Sequence, residues 1–374
     1  MAELREGIVI SNRYEVRSLV GSGGFGQVWY GFDDELQREI AIKRLLSKGF
    51  RSTEDRDEIM KEARKIASLS HPNIVSVYDV VLHDEELMII MEYLHEGSLQ
   101  DYLRKLSREQ TWIGISESIR ILKSILSGLQ AAHNCPQGPV IHRDLKPLNI
   151  LFHRDFLAKI VDFGLATIGI TAEIKTAHPG KWEHEGTFGY KSPEQLTGAQ
   201  IDVRSDLFNM GLIASILFAA AHPFIDHRFL FDYKEMVLVP YRDVAITLGS
   251  HLTDGIKEFI LKLLAVDPAD RFQTASEALS ELEYVEEEYS EQLFNRVIDH
   301  HDALIAGNET KILSAVELAE GISLCKRKGF FVQGIFLYEK SGKDFSALPQ
   351  HLYNRMEENY RNCKRRAGRE VIAQ

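Results

Sequence analysis

One stretch concentrates groups that could do chemistry: His142-Arg143-Asp144-Leu145-Lys146-Pro147-Leu148-Asn149. Asp144 is placed to accept a hydroxyl proton, and Asn149 to offer an amide oxygen to a metal. Lys146, two residues past Asp144, can touch a transferring phosphate. A polar turn between two strands is the plain alternative, but three such groups on one short loop make sense when something charged reacts beside them. Upstream, Gly21-Ser22-Gly23-Gly24-Phe25-Gly26-Gln27-Val28 suits a turn whose backbone amides approach phosphate oxygens, because glycine puts no side chain in the way. On its own that pattern is weak, since a dinucleotide-binding fold uses the same glycines between a strand and a helix. Here aromatic and β-branched residues continue through Trp29-Tyr30-Gly31-Phe32, which favours a hairpin.

The elements that must position these groups follow from patterning. Tyr14 to Val20 alternates loosely and reads as a strand. Glu39-Ile40-Ala41-Ile42-Lys43 is a short apolar strand ending in a cation, and a bare ammonium near a nucleotide would need a carboxylate partner. Asp57 to Ser70 reads as an amphipathic helix with Ile59, Ala63, Ile66 and Leu69 on one side, and it carries Glu62. A surface acid is the bland reading of Glu62; the ion pair with Lys43 is the sharper one. His71-Pro72 ends that helix and opens two more strands, one to Leu82 and one from Leu87 to Glu92. Met91 to Leu99 reads as a hinge, where backbone groups at Glu92 and Leu94 could meet an adenine edge with Met91 behind them. Helices are expected over Leu99 to Lys105, Ser116 to His133, Val203 to Ala221, Thr253 to Leu264 and Thr274 to Glu283.

Composition narrows the classes. With 44% hydrophobic and 26% charged residues the chain reads as globular, and a net charge of -11 argues against a general nucleic-acid binder. Three scattered cysteines, Cys135, Cys325 and Cys363, make a disulfide framework or zinc site a poor expectation. Met1 to Asn12 carries Glu3 and Glu6 and no long apolar run, so no signal peptide is expected. The apolar run Leu212 to Ala221 is too short for a bilayer. The reading is a cytoplasmic protein with no membrane span.

Together the motifs resemble the eukaryotic-type (Hanks-type) serine/threonine protein kinases, from about Tyr14 to Glu283. The resemblance implies an α+β, bilobal fold: a β-rich lobe over 14–94 and an α-rich lobe over 95–283, after an extension at 1–13. It implies transfer of the γ-phosphate of ATP to Ser or Thr hydroxyls of protein substrates, the chain itself included, with Mg²⁺. Gly21, Gly23, Gly24 and Gly26 would cover the phosphates, and Lys43, paired with Glu62, would meet them. Val28, Ala41, Met91, Glu92, Leu94 and Leu151 would line the nucleotide pocket. Asp144 would be the catalytic base with Lys146 beside it, and Asn149 and Asp162, of Asp162-Phe163-Gly164, the metal ligands. Ile66, Val77, His142 and Phe163 would stack, anchored by Asp206, which gives His142 a packing role.

Departures from the family pattern are mild. Ser192-Pro193-Glu194 has Ser for Ala, and Phe208 stands where the family has Trp. Arg271 falls where the family's buried arginine pairs with Glu194. In the activation segment Thr167, Thr171 and Thr176 are candidate phosphorylation sites. Glu183 or Glu185 could pair with Arg143 in place of a phosphate, or be solvated loop acids, the plainer reading, and Thr187 is expected on Asp144 and Lys146.

Beyond Glu283 the composition shifts. Glu286-Glu287-Glu288 is an acid run of the kind found on solvated helix faces. Apolar stripes then recur at Leu293 to Ile298, Ile312 to Ile322, Phe330 to Lys340 and Leu348 to Arg361. Residues 284–374 read as a helical module of about four helices, loosely tetratricopeptide-like, for partner docking, self-association or regulation. Lys364-Arg365-Arg366 could bind an acidic partner, though such a run is more often an exposed, frayed end. The competing functional class is a pseudokinase scaffold that holds ATP without transferring phosphate; it usually lacks one of Lys43, Glu62, Asp144, Asn149 and Asp162, all present here.

Overall fold

The computed structural model describes residues 4–23, 26–45, 60–61, 63–84, 86–109, 111, 113–163, 190–219, 252–306, 313–340, 345, 348 and 350–373. Six strands form one sheet: β1 (Val9–Ile10), β2 (Tyr14–Gly23), β3 (Gly26–Asp33), β4 (Arg38–Leu45), β5 (Val77–His83) and β6 (Glu86–Glu92). Every pair is antiparallel, in the order β1-β2-β3-β4-β6-β5. Side chains alternate between faces along a strand. Ile40, Ile42, Met88 and Ile90 accordingly fill one small core with Tyr14, Val16 and Trp29. Ala41, Leu87, Ile89 and Met91 face the main core instead. Lys43, two residues past Ala41, therefore projects from the same face as Ala41.

The α-rich part begins with α1 (Leu99–Arg108), started by a capping box between Ser98 and Asp101. Next comes α2 (Ile115–His133), whose Ile119, Leu122, Ile125, Leu126 and Leu129 are fully buried, each worth roughly 1.5–3 kcal/mol. It packs on a two-stranded hairpin, β7 (Ile150–His153) and β8 (Leu157–Ile160), and on α4 (Val203–Ala219) and α6 (Ala275–Ile305). Between these lie α3 (Pro193–Thr197) and α5 (Asp254–Leu263), the latter capped by Thr253. Asn73 fastens the sheet to the hairpin: its Nδ2 donates to Ala158 O at 2.9 Å, and its own carbonyl accepts Ile160 N–H at 2.9 Å.

The helix expected to end at Glu283 continues: α6 runs through that position as one 31-residue helix. Leu282, Val285, Tyr289, Leu293 and Val297 stay buried along it, three or four residues apart, so the acid run at 286–288 never interrupts the apolar stripe. After it come α7 (Ala315–Lys328), α8 (Phe331–Lys340) and α9 (Gln350–Ala373), packed on one another. Lys364 lies inside α9 and pairs with Glu339 at 2.9 Å, so the expected frayed end is helical to residue 373.

This tail sits on the α-rich lobe. Arg355 Nη1 reaches the buried Glu117 at 2.8 Å. His351 stacks on Phe156 at 4.0 Å, and Phe156 on Phe152 at 4.1 Å. Glu320 accepts the N–H of Ser116. Among the described residues, no helix is long and apolar enough to cross a membrane.

Candidate active site

The loop at 142–149 is held from below by Asp206, on α4 and fully buried. Its Oδ1 accepts the N–H of Arg143 at 2.8 Å and its Oδ2 the N–H of His142 at 2.8 Å, with His133 Nε2 at 2.9 Å from Oδ2. Burial would raise the Asp206 carboxyl, but the His133 hydrogen bond and the surrounding donors outweigh it and hold the group below its ordinary range. His142 turns inward: its Nε2 meets Val161 O at 2.8 Å, and its ring lies 4.9 Å from that of Phe163. Ile66 belongs to the same core, with Val77 packed against it.

Above this support sits Asp144. Lys146 Nζ donates to its Oδ2 at 2.7 Å, and Asn149 Nδ2 to the same oxygen at 3.3 Å and to the Asp144 carbonyl at 2.8 Å. Lys191 Nζ lies 3.2 Å from Oδ1. Burial pushes the Asp144 carboxyl up, but Lys191 and Lys146 pull harder, so it is held below the usual carboxylate range. Arg143 and Asp162 both adopt left-handed backbone, φ 66 and 65, uncommon for residues with a side chain. Val161 N–H donates to Asn149 O at 3.0 Å, bringing Asp162 beside the loop. Asp162 Oδ2 meets Lys43 Nζ at 2.6 Å, and Lys43 is almost fully buried.

The glycine segment is a hairpin, as its flanking residues suggest. Gly23 pairs with Gly26, whose φ of 136 only glycine adopts easily. Ala41, Met91 and Leu94 are buried in a cluster against which Val28 and Leu151 pack. Glu92 N–H is committed to Ser76 O at 2.9 Å, and its side chain to Lys159 at 2.9 Å. Glu62, Gly24 and the whole segment 164–189, including Glu183, Glu185, Thr187 and the candidate phosphorylation sites, lie outside the described residues.

A model of the protein kinase domain matches residues 14–284, most of the chain. The chain belongs to the protein kinase family. The fold agrees: a crystal structure of the Mycobacterium tuberculosis PknI kinase domain, 22% identical, superposes with a TM-score of 0.57, covering 76% of this chain and all of that one. Among curated relatives, PrkC of Bacillus subtilis, a serine/threonine-protein kinase, is 30% identical over 72% of this chain and 40% of its own length. The serine/threonine-protein kinase pkn3 of Myxococcus xanthus is 33% identical over 75% of this chain and 51% of its own. A probable serine/threonine-protein kinase of Clostridium perfringens is 30% identical over 83% of this chain and 43% of its own. This kinase chain thus spans about half, or less, of the length of those relatives.

Within the kinase lobe Arg271 and Glu194 form a two-armed buried pair, Nη1 to Oε1 at 2.8 Å and Nη2 to Oε2 at 2.9 Å. Phe208, in place of the family's Trp, lies under the Arg271 guanidinium at 4.9 Å, so the substitution keeps an aromatic face for that cation. Sequence reasoning passed over Lys191 and Gln195. The one visible signal for Lys191 was a cation directly before Ser192-Pro193-Glu194.

Asn149 and Asp162 each carry a side-chain oxygen of the kind that would suit a hard divalent ion. Among the described residues no cluster of three or more His, Cys, Asp or Glu offers a competing metal site.

Proposed function

We propose that this chain transfers the γ-phosphate of ATP to Ser or Thr hydroxyls of proteins, with Mg²⁺ as the divalent ion. The observation that carries the reading is the Asp144 carboxylate, buried yet held ionised by Lys146 and Lys191, on the loop beside the Lys43–Asp162 pair. Asn149 and Asp162 would hold the ion, and bound Mg²⁺ supplies charge neutralisation on the phosphate oxygens. Lys43 would leave Asp162 for the α- and β-phosphates. Glu92 and Leu94 would offer backbone groups to the adenine edge, Glu92 through its carbonyl because its N–H is taken by Ser76. Asp144 orients the acceptor hydroxyl and takes its proton at a carboxylate oxygen, a contribution of roughly 10²–10⁴-fold. Lys146, already on Oδ2, sits where the moving phosphoryl group needs a cation. Ser/Thr preference is supported by Lys146 and by the names of the relatives. The tail braces the lobe through Glu320, Arg355 and His351.

The test is label transfer from γ-labelled ATP to a general protein acceptor, with phosphoamino-acid analysis, beside Asp144→Ala. Phosphoserine or phosphothreonine made by the wild type and lost in the variant is the expected result. Equal label in both proteins, or phosphotyrosine alone, would overturn the reading.

A further inference from the structure

We infer that Lys191 is a positioning residue that holds the outer oxygen of the Asp144 carboxylate and so fixes the direction in which an acceptor hydroxyl is met. The inference rests on the phosphotransfer reading above and adds a residue to it. The two donors on Oδ2, Lys146 and Asn149, come from the same loop as Asp144 and move with it. Lys191 comes from a different segment, one residue before the Ser192 cap of α3, and reaches Oδ1 at 3.2 Å.

The same ammonium donates to Arg143 O at 3.2 Å, and that carbonyl also accepts Gln195 Nε2 at 2.7 Å. Arg143 carries the left-handed backbone directly before Asp144. Such a conformation persists where its surroundings over-determine it. Here Asp206 takes the Arg143 N–H from below, while Lys191 and Gln195 take its carbonyl from the side of α3. One lysine thus grips both the strained peptide and the carboxylate that follows it.

A solvated lysine would behave differently. Lys105, its side chain 63% exposed, lies 4.0 Å from Glu109, a neighbour one turn along the same stretch of chain. The Lys191 side chain is 23% exposed and joins two separate segments at the base. A carboxylate oxygen has two lone pairs, so Oδ1 can receive Lys191 and an acceptor hydroxyl together. Without Lys191, the Oδ1 side of the carboxylate loses its hold and the group can turn about its last torsion.

The experiment compares the full chain with Lys191→Met, Lys191→Gln and Lys191→Arg. Expected for Lys191→Met is a fall in kcat of about 10- to 100-fold, with the KM for ATP and the melting temperature kept, because small misplacements at a reacting centre cost that much. Lys191→Gln falls between, and Lys191→Arg restores most of the rate. Equal losses in Met and Arg variants, together with a lowered melting temperature, would mark a merely structural residue and overturn the inference. A Lys191→Met rate equal to wild type would do the same. Crystal structures of wild type and Lys191→Met read the hold without any turnover. A turned Asp144 carboxylate in the variant supports the inference even if the wild type transfers no phosphate, which would sink only the parent reading. An unmoved carboxylate overturns it.

Discussion

Glu320 on α7 accepts the backbone N–H of Ser116 at 3.0 Å, capping the first turn of α2 from 204 positions away in the chain. The helix needs this, because its N-cap is Gly114, which has no side chain to offer. The other oxygen of Glu320 accepts Tyr289 Oη at 2.9 Å. A Cβ on Gly114 would stand 2.2 Å from Glu320 Oε1 and 2.7 Å from Val316 Cγ1. Gly114→Ala should therefore expel the carboxyl and cost about 1–3 kcal/mol through the lost cap and the stranded acceptor. A double-mutant cycle with Glu320→Ala checks this by urea unfolding; strictly additive losses would show that the two positions do not communicate.

Glu320 should also give the fold a slope in pH. Burial pushes its carboxyl from 4.5 up to about 7. Between those values the folded chain holds a proton that the unfolded chain has released, so stability falls as pH rises. The contribution is complete below 4.5 and gone above about 7. Its size is about 3 kcal/mol at most, from 1.36 kcal/mol per unit. Glu320→Gln should flatten the unfolding free energy over that window, and an unchanged slope would refute the assignment.

His351 works in the opposite direction. Burial pushes its imidazole from 6.5 down to about 4, against the pull of Glu117, 3.7 Å away. The unfolded chain then binds the extra proton. This part of the stability is present above 6.5 and is lost as pH falls through about 4. His351→Phe keeps a ring on Phe156 and removes the titration, so the variant should resist acid better than wild type. Thermal melts at pH 4, 5 and 6 compare the two proteins; equal acid loss in both would count against the argument.

The Arg271–Glu194 pair predicts a large, one-sided penalty. Arg271 is fully buried, and its guanidinium also donates to Ala265 O at 2.6 Å and Val266 O at 2.9 Å. Arg271→Met or Glu194→Gln alone leaves a buried partner uncompensated and should cost roughly 3–5 kcal/mol. The double variant should cost less than the two singles added together. Single losses near zero by denaturant titration would mean that the pair is not structural.

Nucleotide and metal should act together on melting. Lys43 and Asp162 are closed on each other at 2.6 Å, so on the proposed reading Mg²⁺ and phosphate would each take one partner of that pair. ATP with Mg²⁺ at about 100 times its Kd stabilises by roughly 2.7 kcal/mol. Mg²⁺ should enlarge the ATP-induced melting shift of the wild type and add nothing in Asp162→Asn. A variant that still gains from Mg²⁺ would remove Asp162 from the ligand set.

What the sequence made legible divides along physical lines. Asp144, Lys146, Asn149 and Asp162 were readable because phosphate and metal chemistry restrict residue type and spacing over short stretches. Lys43 was readable as the one cation ending a short apolar strand, at the spacing the family resemblance implies. Arg271 and Glu194 lie 77 positions apart, and their pairing was visible only through the family resemblance. Lys191 was not readable, since a lone lysine acquires meaning only from what folds against it. The contacts of Ser116 with Glu320 and of Glu117 with Arg355 were hidden for the same reason. The helix expected over Thr274 to Glu283 runs on to Ile305, because Val285 and Tyr289 carry the buried stripe past the solvated acids at 286–288.

The family match stops at residue 284, inside a helix that continues to Ile305. What is shared by descent and what folds as a unit therefore part company here. A recombinant fragment trimmed to the shared portion would keep the reactive loop. It would also sever α6 in mid-course, bare the surface that Tyr289 and Leu293 cover, and leave the first turn of α2 unroofed. Anyone expressing this protein in pieces should keep α6 whole with α7 beside it, or expect an insoluble product however intact the loop at 142–149.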